Sequence, residues 1–316
     1  MMKLFRTFHT NFKEAAKKEI ELLRSSKISI EKLRTVCLTL GPYRNLTTLT
    51  AAIVALHPNC QVLNHAGGRI FNDKRLNFFL EYSQNKFDRF VKYAIYISQG
   101  GREGPYGGSI LYSHAFGSQH RLSEIYRKLY GNSRIKDNIH CLFWKESMPT
   151  SSFIRDYQVD LDAILTQNQA LRFLMPIRNP LDCAVSNLKF FGNTKQLHQV
   201  FRLKNRQEVL YEVMESILDE FQWFLELKRQ NPERFFCYFE YEFGEKTLLD
   251  LAKFLNIGAD KQWLRNSMEA WEMKSRYKHP DEFVEFYNQQ VEQKFSNYPD
   301  FANKLLHFTR DYERVG

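Results

Sequence analysis

The chain has 316 residues, of which 43% are hydrophobic and 26% charged, and its 45 Lys and Arg outnumber 36 Asp and Glu. These proportions are those of an ordinary globular protein, which excludes disordered and fibrous classes. The formal net charge of +9 suits an anionic ligand. The excess is spread along the chain and forms no basic stripe with interleaved aromatics, so we expect no nucleic-acid partner.

Cysteine spacing and hydropathy bear on the compartment. The five cysteines are scattered and form no CxxC pair, which predicts reduced, buried thiols. Residues 1–32 are charged throughout and lack the apolar stretch of a secretory signal. The longest weakly polar run, 46–56, is too short to cross a bilayer. We therefore predict a cytoplasmic protein without an integral membrane segment.

Apolar, β-branched runs alternate with helical patterns along the chain. We predict strands over 34–40, 61–65, 139–144, 171–177 and 235–241 and helices over 11–32, 46–56, 72–97, 122–130, 206–229 and 248–255, followed by a mostly helical stretch. The segment 110–116 is open between strand and helix, and Pro176 predicts an irregular strand end. The alternation predicts an α/β fold with a parallel sheet covered on both faces. We expect a single domain, 1–316, with an N-terminal helical extension (1–32), an α/β core (34–260) and a helical C-terminal region (261–316).

The first predicted strand is followed by a loop that opens a helix, GPYRNLTT at 41–48. Backbone N–H groups at a helix N-terminus, with hydroxyls beside them, bind anions. A kinase phosphate loop would read GxxxxGK[ST], whereas Leu46 here replaces the second glycine and Thr47 the lysine. Arg44 is the nearby cation. The segment is either an anion-binding loop without that lysine or only a capped helix, and a kinase of small molecules is the alternative function.

A second motif, RNPLDCAVS at 178–186, follows a later strand. Pro180 suits the first turn of a helix, and Ser186 lies a little over two turns beyond Arg178. Arg178, by a two-pronged contact, and Ser186, by its hydroxyl, could therefore converge on one phosphate.

Taken together, the two segments resemble the sulfotransferases that use 3′-phosphoadenosine 5′-phosphosulfate (PAPS). The family's 5′-phosphosulfate loop reads like YPKSGTT, and PYRNLTT at 42–48 occupies its place, with Arg44 at the lysine position and Leu46 departing from the glycine. RNPLDCAVS matches the family's 3′-phosphate motif RNPxDxxxS in full, and EYEF at 240–243 is a weaker third match. The resemblance covers residues 34–260.

The resemblance implies a P-loop NTPase-like three-layer fold and transfer of a sulfuryl group from PAPS to a hydroxyl acceptor. It places the 5′-phosphosulfate on five loop residues, Arg44, Asn45, Leu46, Thr47 and Thr48, and the 3′-phosphate on Arg178 and Ser186. A sulfuryl group carries less negative charge than a γ-phosphoryl group, so side-chain cations and helix-end amides suffice and no metal is predicted.

Two strand ends offer a general base. His65 falls at the position of the catalytic glutamate of tyrosine sulfotransferases, after His57-Pro58-Asn59 in place of an HPD-type turn. An imidazole suits this role because it titrates near neutral pH. Lys145 matches the lysine of the KTHxP motif of cytosolic sulfotransferases, where Ser147 here replaces the histidine. The resemblance gives Lys145 the stabilisation of transition-state charge, and Glu146 is the alternative base.

The acceptor is not named by any motif. A carbohydrate or glycolipid is the preferred class, with lipids, small alcohols and peptides left open. The glycine-rich loop at 98–108 and the segment 110–120, with His114 and His120, are expected to shape the acceptor pocket. In the family that the sequence resembles, a late basic segment often helps hold the 3′-phosphate. The basic cluster at 274–278 has no motif match to support this role, so a solvated charged face is the preferred interpretation.

Overall fold

The computed structural model describes residues 16–100, 107–117, 121–204, 208–271 and 277–310. In these ranges six strands form one sheet in the order β3-β2-β4-β1-β5-β6. All neighbours pair in parallel except β3, which pairs antiparallel with β2 at one edge. The strands are β1 (Thr35–Thr39), β2 (Cys60–Asn64), β3 (Gly108–Ser109), β4 (Cys141–Lys145), β5 (Leu171–Ile177) and β6 (Phe235–Phe239).

Helices connect the strands and follow the last of them. The N-terminal helix, α1, covers residues 16–25. The others are α2 (Thr47–Ala55), α3 (Gly67–Phe71), α4 (Gln84–Ile97), α5 (Arg121–Tyr130), α6 (Met148–Asp156), α7 (Leu161–Gln167), α8 (Pro180–Phe191), α9 (Lys195–Phe201), α10 (Val209–Gln230), α11 (Glu245–Phe254), α12 (Lys261–Ala270), α13 (Asp281–Lys294) and α14 (Pro299–Arg310).

Helices cover both faces of the sheet. Successive strand residues point to opposite faces, so neighbouring residues pack in different clusters. In β1, Cys37 packs in a cluster with α2, α5, α11 and α12, while Leu38 packs in the larger cluster with α4, α6, α8, α10 and α13. Phe143 and Trp144 divide between the two clusters in the same way. The predicted parallel sheet between two helical layers is confirmed.

The predicted irregular end of β5 is wrong, because the strand runs through Pro176 to Ile177. Pairing with β1 stops at Leu174, so Pro176 lies beyond the end of that neighbour. The Pro176 carbonyl points to the β1 side and accepts a hydrogen bond from the Asn45 side chain. The missing N–H of proline therefore removes no bond from the ladder.

The helix predicted over 72–97 begins only at Gln84, after the N-cap Ser83, whose hydroxyl accepts from the Lys86 N–H. Turns precede it. Asp73 accepts from the Arg75 N–H, and the Asn77 side chain donates to the Phe71 carbonyl. Such local side-chain bonds compete with helix formation. The undecided segment 110–116 forms two short 3-10 helices.

The thiols agree with the expectation drawn from the sequence. All five cysteines are free, and four of them are buried, as predicted. Within the described ranges, no helix is both long and apolar enough to cross a membrane. The compartment stays a prediction.

Candidate functional site

The side chains singled out in the sequence gather at the carboxyl ends of the parallel strands. The loop 41–48 follows β1, His65 follows β2, Lys145 ends β4 and Arg178 follows β5. Strand register makes this meeting close, since Asn64 of β2 pairs with Lys145 of β4. Sheets of this kind bind ligands beyond the carboxyl ends of their strands.

The loop after β1 keeps a glycine-like backbone without the glycine. Leu46, which departs from the family motif, has φ 61° and ψ 3°. This is the left-handed conformation, which glycine adopts freely and other residues adopt at a cost. Leu46 is the N-cap of α2 and makes no side-chain bond to the first N–H groups of that helix. These groups are therefore left without a side-chain cap, as an anion-binding helix end requires.

Substitution at Leu46 tests this strained backbone. We expect Leu46→Gly to leave the free energy of unfolding unchanged or raise it by up to about 1 kcal/mol, since relief of the left-handed strain outweighs the added chain entropy. Leu46→Val should lower it by about 1–2 kcal/mol, because a β-branched residue tolerates positive φ least. Urea unfolding of the three proteins measures the order Gly, Leu, Val; a valine variant as stable as the glycine variant would contradict it.

Asn45 ties the loops after β1 and β5 together. It is fully buried, its Nδ2 donates to the Pro176 carbonyl, and its Oδ1 accepts from the Arg178 N–H at 2.9 Å. Both polar atoms of the Asn45 side chain are therefore engaged in hydrogen bonds within the protein. We therefore propose that Asn45 positions Arg178 and that its side chain does not itself contact the 5′-phosphosulfate. Thr47 and Thr48 begin α2, with Thr47 buried and Thr48 partly buried.

The loop at 41–48 and the RNPLDCAVS segment, the two predicted anion-binding motifs, meet at the carboxyl ends of the strands. Arg44 Nε donates to Ser186 Oγ at 3.1 Å, although 142 positions separate the two residues. Arg178 Nη1 lies 3.4 Å from the Arg44 carbonyl oxygen. Arg178 and Ser186 are both buried, whereas Arg44 is exposed and lies over the Phe190 ring. These contacts place the two segments side by side, within reach of one ligand bound at this end of the strands.

Asp182, within the RNPLDCAVS motif, links this site to the C-terminal region. Its Oδ2 lies 3.7 Å from Arg178 Nη2. Its Oδ1 accepts from the Tyr277 N–H at 3.0 Å and lies 2.9 Å from His279 Nε2. Sequence analysis had assigned no role to Asp182, Tyr277 or His279, although the aspartate of the motif was visible. Of the basic cluster at 274–278, residues 274–276 lie outside the described residues.

The candidate catalytic residues form a compact triad, His65, Lys145 and Glu146. Lys145 Nζ lies 3.0 Å from His65 Nε2, and Glu146 Oε1 lies 3.6 Å from His65 Nδ1. Glu146 Oε2 accepts from the Gly67 N–H at 2.8 Å. The two bases that the sequence offered as alternatives therefore stand in one cluster.

Several neighbours hold the triad in place. Trp144 Nε1 donates to the His65 carbonyl, and the His65 N–H donates to the Lys145 carbonyl at 2.8 Å. A methyl group on Gly107 would lie 2.3 Å from the Ala66 Cβ, so only glycine fits there. His65 and Ala66 both have positive φ. Such strain often marks functional sites. Neither Trp144 nor Gly107 was picked out from the sequence; the glycine-rich stretch was the one available signal.

Burial changes the acidity of Lys145. Desolvation lowers its pKa to about 8; nearby Glu146 opposes the change, and the charge of Arg44 adds to it. Lys145 is 5% exposed.

The charge-stabilising role that the resemblance implies for Lys145 predicts that the rate of sulfuryl transfer depends on the charge of this side chain. As pH rises through about 8, Lys145 loses its proton, so we expect kcat/KM for the anionic donor to fall above that pH. In Lys145→Arg this alkaline decline should disappear, because the guanidinium stays charged. A pH profile of kcat/KM for both proteins measures the effect. An alkaline decline at the same pH in Lys145→Arg would assign it to another group.

The predicted acceptor region is described in part. Gly108 and Ser109 form β3 against Asn64 and Leu63, which brings this segment beside His65. Residues 101–106 of the glycine-rich loop lie outside the described residues, as does His120. His114 is exposed on a 3-10 helix. Its role in an acceptor pocket stays a prediction.

Across the described ranges, no group of three or more His, Cys, Asp or Glu side chains could hold a metal ion. That the reaction needs no metal stays a prediction.

Comparison with known proteins gave structural likenesses alone. No family model matches the sequence. No curated protein matches it either. Mouse sulfotransferase SULT7A1 complexed with PAP is 13% identical with a TM-score of 0.41, covering 92% of this chain and 94% of that one. Sulfotransferase STF9 from Mycobacterium avium is 13% identical with a TM-score of 0.43, covering 91% and 80%. A sulfotransferase from Alicyclobacillus acidocaldarius is 14% identical with a TM-score of 0.37, covering 84% and 95%. Likenesses this distant carry no argument, so the function is argued from the residues.

Proposed function

We propose that this protein is a PAPS-dependent sulfotransferase that transfers the sulfuryl group to an acceptor hydroxyl. One observation carries the proposal: the loop after β1 and the RNPLDCAVS motif meet through Arg44 and Ser186. Their meeting point lies at the same edge of the sheet as the His65–Lys145–Glu146 triad. Two adjoining phosphate-type sites fit a donor that carries two charged groups.

The residues present suit such a donor. The uncapped N–H groups of α2, Thr47, Thr48 and Arg44 would hold the 5′-phosphosulfate. Arg178 and Ser186 would hold the 3′-phosphate, by charge-assisted and hydroxyl hydrogen bonds. The lysine of a kinase loop is absent, since Thr47 takes its position.

The triad supplies the acid–base chemistry. His65 Nε2 takes the proton of the acceptor hydroxyl while that oxygen attacks sulfur in line. The bond from sulfur to the phosphate oxygen breaks, and Lys145 stabilises the charge left on that oxygen. Glu146, which sequence analysis kept as an alternative base, faces His65 Nδ1 and is tied to the Gly67 N–H. We therefore propose that Glu146 orients His65 and that His65 is the base.

The acceptor is proposed to be a carbohydrate or glycolipid, as the sequence analysis preferred. Transfer of labelled sulfate from PAPS to glycans, glycolipids and small alcohols tests this choice. Efficient transfer to phenols or simple alcohols, with none to glycans, would contradict it.

The donor assignment is tested by thermal unfolding with 3′,5′-ADP and with 5′-AMP. The 3′-phosphate should tighten binding about 10- to 100-fold, because hydrogen bonds to charged groups contribute about 1.5–3 kcal/mol. 3′,5′-ADP should therefore raise Tm more than 5′-AMP at equal concentration. Equal shifts would remove the 3′-phosphate assignment, and phosphoryl transfer from ATP that depends on Mg²⁺ would establish a kinase instead.

A further inference from the structure

The contact between Lys145 and His65 has a consequence for when the base can act. An ammonium group donates three hydrogen bonds and accepts none. Lys145 Nζ lies 3.0 Å from His65 Nε2, so the histidine nitrogen must accept this bond with its lone pair. The imidazole proton then sits on Nδ1, on the side of Glu146 Oε1. A general base needs the Nε2 lone pair free, and here Lys145 occupies it.

Lys145 carries its proton at neutral pH. Its pKa of about 8 leaves the ammonium form predominant at neutral pH. Among the described residues, Nζ makes no hydrogen bond other than the one to His65. Burial destabilises this ammonium and the charge of Arg44 adds to the effect, whereas Glu146 offsets it only in part, since the pKa of Lys145 stays below its usual value.

An anion at the phosphate-type sites would be the better partner. Charge-assisted hydrogen bonds are about twice as strong as neutral ones, and lysine carries its charge on a flexible four-carbon stem. Lys145 can thus exchange the imidazole for an anionic oxygen without a change in the backbone.

We propose that Lys145 blocks the base His65 in the nucleotide-free protein and that an anionic donor nucleotide draws Lys145 away and frees Nε2. The inference rests on the proposed function and adds its regulation: the acceptor hydroxyl is engaged by the base only after the donor is in place. Lys145 acts here as a positioning residue, in addition to its proposed charge-stabilising role.

The Nε2 resonance of His65 reports this contact directly in protein labelled with ¹⁵N-histidine at pH 7. His65→Gln identifies the signal. An unprotonated imidazole nitrogen moves upfield when it accepts a hydrogen bond. We expect the wild-type signal to lie upfield of that in Lys145→Met, and 3′,5′-ADP to move the wild-type signal downfield by several ppm while leaving the variant unmoved.

Lys136→Met is the matched control. Lys136 is also buried, its pKa is also lowered by desolvation, to about 7, and it lies over the Tyr130 ring. Its removal should leave the His65 signal in place. Identical His65 signals in wild type and Lys145→Met, without nucleotide, would overturn the contact whatever the enzyme's activity. A wild-type signal that saturating 3′,5′-ADP leaves unmoved would overturn the release. Failure of 3′,5′-ADP to bind, seen in the thermal shift, would instead contradict the proposed function.

Discussion

A His65→Ala variant is expected to lose about 10²- to 10⁴-fold in kcat for sulfuryl transfer while binding 3′,5′-ADP like the wild type. The imidazole lies at the end of β2, beside Lys145 and Glu146, and its loss removes the proton acceptor. The nucleotide contacts proposed for Arg44 and Arg178 remain. Steady-state transfer of labelled sulfate and calorimetric titration with 3′,5′-ADP measure the two quantities separately.

Two variants act as controls for this loss. His140→Ala removes a histidine that directly precedes β4. It lies at the amino-terminal ends of the parallel strands, opposite the candidate site, so the rate should be unchanged. Glu146→Gln should lower the rate less than His65→Ala, because it weakens the orientation of His65 and leaves the imidazole present. Turnover retained by His65→Ala and abolished by Glu146→Gln would move the role of base to Glu146.

An Arg178→Ala variant should bind 3′,5′-ADP about 10- to 100-fold more weakly while its affinity for 5′-AMP changes little. The buried guanidinium is held by Asp182 and the Arg44 carbonyl, beside the Ser186 hydroxyl's partner Arg44, where we propose that it contacts the 3′-phosphate. Such preorganisation makes the contact strong, and its removal is correspondingly costly. Calorimetric titration with both nucleotides gives the ratio of affinities, which is the quantity of interest.

Arg172→Ala is the matched control for Arg178→Ala. Arg172 lies on the same strand, β5, and donates to the Phe254 carbonyl, away from the carboxyl edge. Its loss should lower the free energy of unfolding without changing the ratio of the two affinities. An equal drop in affinity for 5′-AMP in Arg178→Ala would mean that Arg178 supports the fold of the site and does not select the 3′-phosphate.

The local hydropathy pattern of the sequence predicted the strands whose carboxyl ends form the candidate site. The apolar runs that became β1 and β5 are buried on both faces, so their hydrophobicity alone marked them. The segments after them were recognised because anion-binding loops need particular residues at fixed spacing. Less could be predicted at 72–83, where side-chain hydrogen bonds of Asp73 and Asn77 replace helix with turns. Those bonds depend on geometry that hydropathy does not record.

By itself, the sequence determined the parallel α/β architecture, and it predicted two candidate anion-binding segments and a candidate base and cation, because each of these depends on residue type and short-range spacing. Tertiary structure alone decided that Arg44 meets Ser186, that the Asn45 side chain joins two loops, and that Lys145 Nζ lies 3.0 Å from His65 Nε2. The physical reason is strand register. Adjacent parallel strands bring residues distant in sequence to one edge of the sheet, and that pairing is set by packing across the whole core.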